Sequence, residues 1–138
     1  MSAIKDIMTK NPICLTEHTN VHKARMLMAE KSIRHIPVKN LEGSQLIGLL
    51  SQKALLSNAI KIINQRGLEK LEHEEKSIAI STIMDTSPSI FNLDDQLIDV
   101  AKDLIKQKSG CVSIVENNQL VGVITSNDFV KLAIEQLS

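Results

Sequence analysis

Gly122-Val123-Ile124-Thr125-Ser126-Asn127-Asp128 is the stretch whose reading decides the fold. It ends a short apolar run, Leu120–Ile124, in two hydroxyl side chains and a carboxylate. A new amphipathic run then opens with Phe129, Leu132, Ala133 and Leu137. Apolar residues followed by Thr-Ser are what a buried strand needs before a capped helix. The free amides of a first helical turn attract anions. A carboxylate three residues past the first hydroxyl can accept from two vicinal hydroxyls. The same residues are equally what a plain capped helix requires. What adds weight is that the chain does nearly the same thing twice.

Ile7-Met8…Pro12 recurs as Ile83-Met84…Pro88, an offset of 76, and Gly48-Leu49-Leu50-Ser51 recurs as Gly122-Val123-Ile124-Thr125, an offset of 74. Matching Ala24 to Ala101 gives 77, which implies one extra residue before the second helix and three fewer in the second hairpin. The period is too long for a solenoid and marks a duplicated domain. In the first copy, Asn11-Pro12 stops a short turn. Ile13-Cys14-Leu15 is extended, and Thr19-Asn20 caps a helix bearing Val21, Ala24, Leu27 and Met28. Ile33–Val38 is a strand that Pro37 places at an edge or strand end. A turn at Asn40–Gln45 contains Gly43, Leu46–Leu50 is a buried strand, and Ser51 caps a helix with Leu55, Leu56, Ala59, Ile60 and Ile63 inward, stopped by Gly67. Leu68–Ser77 is charged and reads as a solvated helix or linker, with Glu69–Lys76 the segment least protected from hydrogen exchange. In the second copy Ile90-Phe91 is extended and Asp94 or Asp95 caps a helix with Leu97, Val100, Ala101, Leu104 and Ile105 inward. Cys111–Val115 and Leu120–Ile124 pair through a two-residue Asn117-Asn118 turn, since Asn tolerates positive φ. The expected domains are 1–67 and 80–138 around a charged linker, 68–79. Neither half buries a good core alone.

Composition narrows the function. The 138 residues are 43% hydrophobic with no Trp or Tyr and two Phe, so the core is aliphatic. Sixteen basic residues balance sixteen acidic ones, and a balanced charge with almost no stacking aromatics speaks against nucleic-acid binding. No apolar run approaches the ~20 residues of a membrane span, and the N-terminus lacks a signal-peptide core. The expectation is a cytoplasmic protein with two unpaired thiols, Cys14 and Cys111. Met8, Met26 and Met28 read as core filler. His18 and His22 lie four apart without HExxH, and His73 among glutamates reads as solvated, so no metal site is expected. No P-loop, dinucleotide fingerprint or nucleophile–base set appears, so catalysis is not expected.

With its halves aligned the chain resembles a pair of cystathionine-β-synthase (CBS) domains, a Bateman module. The resemblance rests on Asp6-Ile7-Met8-Thr9…Pro12, Ala24…Met28, Ile33–Val38 and Gly48–Ser51, then Ile83-Met84…Pro88, Ala101, Val112–Val115 and Gly122–Asp128. It implies an α+β fold of two pseudo-twofold-related repeats. Each is a small, mostly antiparallel three-stranded sheet packed with two helices. It implies a regulator rather than an enzyme, with no required cofactor. The implied ligand is an adenine nucleotide or adenosyl compound (AMP, ADP, ATP or S-adenosylmethionine) in clefts between the repeats. The implied partners are a second copy in a homodimer and an unidentified effector protein. The family motif Gly-x-x-Thr/Ser-x-x-Asp assigns the ribose to Asp128, with Thr125 and Ser126 beside it. Arg34 and His35 fall where relatives contact phosphate, and Asn11, Ile13 and Ile33 where they meet the adenine. In the first repeat Ala54 stands where Asp128 stands in the second, and Gly110-Cys111 replaces Arg34-His35 in the second. The clefts are therefore expected to be unequal, with one dominant ligand served by Asp128. The alternative is a structural or oligomerisation module without a working ligand site. The wide stripe Leu55, Leu56, Ala59, Ile60, Ile62 and Ile63 is the residue-level reason to expect a homodimer.

Overall fold

The computed structural model describes residues 3–42 and 45–138, so the expected turn glycine Gly43 lies outside the described residues. Two compact units form, one from residues 13–87 and one from residues 1–12 and 88–138. Each takes its hairpin and long helices from one sequence repeat and a short segment from the other.

In the 13–87 unit a three-stranded sheet has the order β2 (Leu15–Thr16), β3 (His35–Lys39), β4 (Leu46–Ser51), as numbered after β1 (Thr9–Lys10) of the other unit. β2 runs parallel to β3, and β3 antiparallel to β4. Helices α2 (Val21–Lys31) and α3 (Gln52–Arg66) cover the sheet, following the four-residue α1 (Ile4–Ile7) in the chain. Both caps form as expected: Asn20 Oδ1 accepts from Lys23 N at 2.8 Å, and Ser51 Oγ from Ala54 N at 3.1 Å. Gly67 ends α3 at φ 92°. Val21, Ala24 and Met28 meet Ile36, Val38, Leu50 and Leu55 in the core. The inward face of α3 is Leu55, Ala59 and Ile62, whereas Leu56 and Ile60 are 60% and 51% exposed, contrary to the sequence reading.

Pro37 does not mark an edge, because β3 is the central strand. The register explains the tolerance. Pro37 faces Leu49, whose own amide and carbonyl bond to Asp85 at 2.9 Å, so this is a non-hydrogen-bonded pair. The proline nitrogen turns toward β2, whose pairing begins one residue later, at Val38. No ladder bond is lost.

The charged segment is not bare linker. A 3-10 turn, Leu68–Lys70, leads into α4 (Leu71–Lys76), which packs on α2 and α3. Glu75 is fully buried. Arg25 clamps it, with Nε 3.0 and 3.1 Å from the two carboxylate oxygens and Nη2 2.7 Å from Oε1. His22 Nδ1 stands 3.7 Å from the same oxygen, and His22 Nε2 3.6 Å from Glu72. Val21 N then donates to Ile78 O, and Ile80 N to Thr19 O, both at 2.8 Å. The expectation of a solvated segment therefore fails at Glu75.

In the second unit the sheet order is β1, β7 (Gln119–Thr125), β6 (Cys111–Glu116), β5 (Ile90–Asn92). β5 is parallel to β6 and the other pairs are antiparallel. Asn117 and Asn118, at φ 53° and 62°, turn the β6–β7 hairpin as the sequence predicts. Helix α5 (Leu97–Lys106) starts at Gln96 without a side-chain cap, so the aspartate expectation is corrected. Asp95 Oδ2 instead accepts from Asn92 N at 2.8 Å, closing the preceding turn. Val100 and Leu104 are buried but Ile105 is 85% exposed. The helices thus align Val21, Ala24 and Met28 with Leu97, Val100 and Leu104, an offset of 76 and not the 77 that Ala101 suggested. The hairpin partners Leu46 and Leu120 then show that the second hairpin is two residues shorter, not three. Helix α6 (Ser126–Leu137) closes the unit and buries none of its residues.

Both units use one glycine in the same way. A Cβ on Gly122 would lie 2.6 Å from Met8 Sδ and 2.9 Å from Thr9 O; one on Gly48 would lie 2.6 Å from Met84 Sδ and 2.9 Å from Asp85 O. The Ile-Met segment from one repeat docks on the other repeat's hairpin, and only glycine admits it. Met8 and Met84 are half-buried at these contacts and Met28 is core, but Met26 is 53% exposed, so it does not fill the core as expected.

Candidate functional site

The junction β7–α6 carries the most distinctive chemistry. Asp128 Oδ2 accepts from Thr125 N at 2.8 Å and lies 3.4 Å from Thr125 Oγ1, in a capping box. Its second oxygen, Oδ1, has no hydrogen bond among the described residues. Asp128 and Thr125 are half-buried and Ser126 is exposed. This end of the sheet also carries Cys111, paired with Thr125 across the hairpin, and Gly110 at φ 74°. Burial first, and then the Asp128 carboxylate, push the Cys111 thiol up to about 12. A thiol so held is a small apolar group, not a nucleophile.

The equivalent end of the 13–87 unit brings Ile33, Arg34 and His35 beside Ser51: His35 pairs with Ser51, and Gln52 N donates to Arg34 O at 2.8 Å. Ile13, 38% exposed, precedes β2 at this same end, because β2 and β3 run parallel. Arg34 is exposed and its guanidinium has no partner among the described residues. Ala54 stands in the first turn of α3, where Asp128 stands in α6, so the first turn of α3 offers no carboxylate.

Asn11 falls elsewhere. It sits at φ 48°, with N donating to Val121 O at 3.3 Å. That is four residues along β7 from Thr125, roughly 13 Å at strand spacing. The described residues therefore gather Thr125, Ser126 and Asp128 at one strand–helix junction and Ile13, Ile33, Arg34 and His35 at another, with Asn11 well along β7 from Thr125. Cys14 is half-exposed; burial raises its pKa and Lys39 partly offsets this. Among the described residues no cluster of His, Cys, Asp and Glu could hold a metal, and no helix is long and apolar enough to cross a membrane. Sequence reasoning missed the polar turn around Gln107, whose side chain donates to Ser89 Oγ at 3.1 Å and to Asp103 Oδ2 at 2.7 Å beside Gly110. Gln107-Lys-Ser-Gly carried no periodic signal.

Two matches to the CBS domain family model, at residues 4–61 and 80–135, cover most of the chain, and the chain belongs to that family. It is 26% identical to the CBS-pair protein CBSX2 of Arabidopsis thaliana, with a TM-score of 0.81 over 97% of this chain and 95% of that one. Another CBSX2 structure, at 24% identity, is a complex with AMP. The CBS pair of protein MJ0100, in complex with 5′-methylthioadenosine and S-adenosyl-L-methionine, matches at 21% identity and TM-score 0.79, covering 99% of this chain and 98% of that one. A similar curated sequence is the A-adding tRNA nucleotidyltransferase of Aquifex aeolicus, 29% identical over 97% of this chain but 15% of its own length. The chain spans well under half the length of the curated relatives it matches.

Proposed function

We propose that this protein is a regulatory module that binds an adenine nucleotide or adenosyl compound, with Asp128 of one unit offered to ribose hydroxyls and Arg34 of the other offered to a phosphate or other anion. The observation that carries the reading is Asp128. Its position is fixed by the Thr125 amide through one oxygen, and the other points away from that bond with acceptor capacity to spare. A preset carboxylate loses little freedom on accepting two vicinal hydroxyls. Arg34, exposed and without a partner, suits bidentate anion binding. Thr125 and Ser126 add hydroxyls, Ile13 and Ile33 offer apolar surface for a base, and His35 and Asn11 are secondary contacts. The complexes of similar CBS pairs with AMP and S-adenosylmethionine point to the same ligand class. The module acts by changing its own assembly or the activity of a partner, and performs no chemistry.

Titration calorimetry with AMP, ATP and S-adenosylmethionine tests this. One ligand per chain is expected, because Ala54 denies the other repeat its carboxylate. Two hydroxyl bonds to a carboxylate are worth on the order of 1–3 kcal/mol, or about ten- to a hundredfold in affinity. Asp128→Ala should lose that factor, and Arg34→Ala should weaken AMP more than adenosine. Two equal sites, or an Asp128→Ala protein that binds like wild type, would sink the assignment. Silence with every adenosyl ligand would favour a structural module.

A further inference from the structure

Asp128 does not stand alone on its side of the second unit. Helix α1 packs against α6, and a depression of about 160 Å³ lies between them, lined by Asp6, Ile7, Asp128, Lys131, Leu132 and Glu135. Three carboxylates therefore share this wall with one cation. Two of them are held in place by backbone amides: Asp6 Oδ2 accepts from Ala3 N at 2.9 Å, and Asp128 Oδ2 from Thr125 N at 2.8 Å. The β6 end adds no positive charge to offset them. His35 pairs with Ser51 in the 13–87 unit as Cys111 pairs with Thr125 here, so the positions equivalent to Arg34 and His35 hold Gly110 and Cys111. Lys108, in the turn before β6, is exposed, and solvent screens it. Through Asp6 and Leu132 the depression opens into a groove floored by Leu97, Ala101 and Phe129.

A ribose held at Asp128 places its 5′ substituent a few ångströms from this wall. A phosphate there meets like charge from Asp6, Asp128 and Glu135, and also gives up strong hydration beside Leu132. A sulfonium meets unlike charge instead. Its own charge is spread over methyl and methylene carbons, which suit the aliphatic surface beyond. We infer that the Asp128 site selects its ligand by charge at the 5′ position, taking an adenosyl sulfonium in preference to any adenosine phosphate. The inference rests on the reading of Asp128 as the ribose acceptor and narrows it to one class of ligand.

A charge series on one nucleoside tests it. S-adenosylmethionine, 5′-methylthioadenosine, AMP and ATP share adenine and ribose and run from cationic through neutral to increasingly anionic. Titration calorimetry at low ionic strength should rank their affinities in that order, with S-adenosylmethionine about tenfold or more tighter than AMP. Molar salt should weaken S-adenosylmethionine and strengthen ATP. Asp6→Asn and Glu135→Gln each remove a charge and keep a hydrogen-bonding side chain, and both positions are exposed. Each should lower the ratio of S-adenosylmethionine to AMP affinity about threefold and leave 5′-methylthioadenosine unchanged, whereas Lys131→Gln should raise the ratio. AMP or ATP binding as tightly as S-adenosylmethionine, and lost in Asp128→Ala, would keep the ribose assignment and overturn the selection by charge. A ratio unmoved by all three variants would overturn it as well. Silence from the whole series would mean that the ribose assignment itself has failed, and the selection with it.

Discussion

Consider the Arg25–Glu75 clamp with each partner removed in turn. The two side chains are unequal: that of Glu75 is 0% exposed and that of Arg25 is 40% exposed. Glu75→Gln leaves a guanidinium that already reaches water and can rehydrate. The cost is that of weakened charge-assisted hydrogen bonds, about 1–2 kcal/mol. Arg25→Met leaves a carboxylate with no route to solvent and only the imidazole of His22, at 3.7 Å, beside it. Removing one member of a buried pair in this way costs about 3–5 kcal/mol. With a urea m-value of about 1.5 kcal/mol/M, the unfolding midpoint should fall by about 1 M for Glu75→Gln and by about 2–3 M for Arg25→Met. Replacing both at once, as Arg25→Met with Glu75→Leu, removes the charge problem and should lie within about 1 kcal/mol of wild type. Urea titrations followed by circular dichroism read all three. If Glu75→Gln costs as much as Arg25→Met, solvent access does not govern the clamp and the reasoning is wrong.

Gly122→Ala should destabilise by about 1–3 kcal/mol, because its methyl meets the Thr9 carbonyl as well as the Met8 sulfur and only the sulfur can move; a midpoint unchanged by the alanine would mean that β1 can shift freely. Cys111 should resist alkylation at pH 8 until the chain is unfolded. Since its thiol stays protonated up to about 12 when folded, against an ordinary thiol value of about 9.0, the unfolded chain loses its proton first. Stability should therefore fall as pH rises from 9 toward 12, by up to about 1.4 kcal/mol per pH unit. A flat profile there in wild type, or an equal slope in Cys111→Ala, would exclude this cause.

The duplication was legible because it is written in local signals. Asn117-Asn118, the caps Asn20 and Ser51, and the stop at Gly67 each act within a few residues, and each forms as read. What escaped the sequence depends on distant partners. Glu75 lies in a run that looks solvated, and nothing nearby reveals that Arg25, fifty residues earlier, waits for it. Pro37 reads as an edge signal, but its tolerance depends on Leu49 bonding outward to Asp85. The 77-residue offset came from matching two alanines, whereas packing aligns Val21, Ala24 and Met28 with Leu97, Val100 and Leu104. The candidate site could be read only as residue types at strand–helix junctions. That Asn11 lies far along β7 followed only from the β1–β7 register.

That register also orders events during synthesis. A ribosome releases residues 13–87 as a set that already contains every strand and helix of one unit, including the Met84 segment that seats on Gly48. Residues 9–11 emerge before all of these, yet their docking partner, β7, is made more than a hundred residues later. The N-terminal segment, with Ile4 fully buried in the finished protein, must therefore be carried as an unpaired tether through most of translation. Its late closure onto Gly122 spans nearly the whole chain, so it is the step whose loop entropy is largest and the first that a chaperone or a protease would find undone.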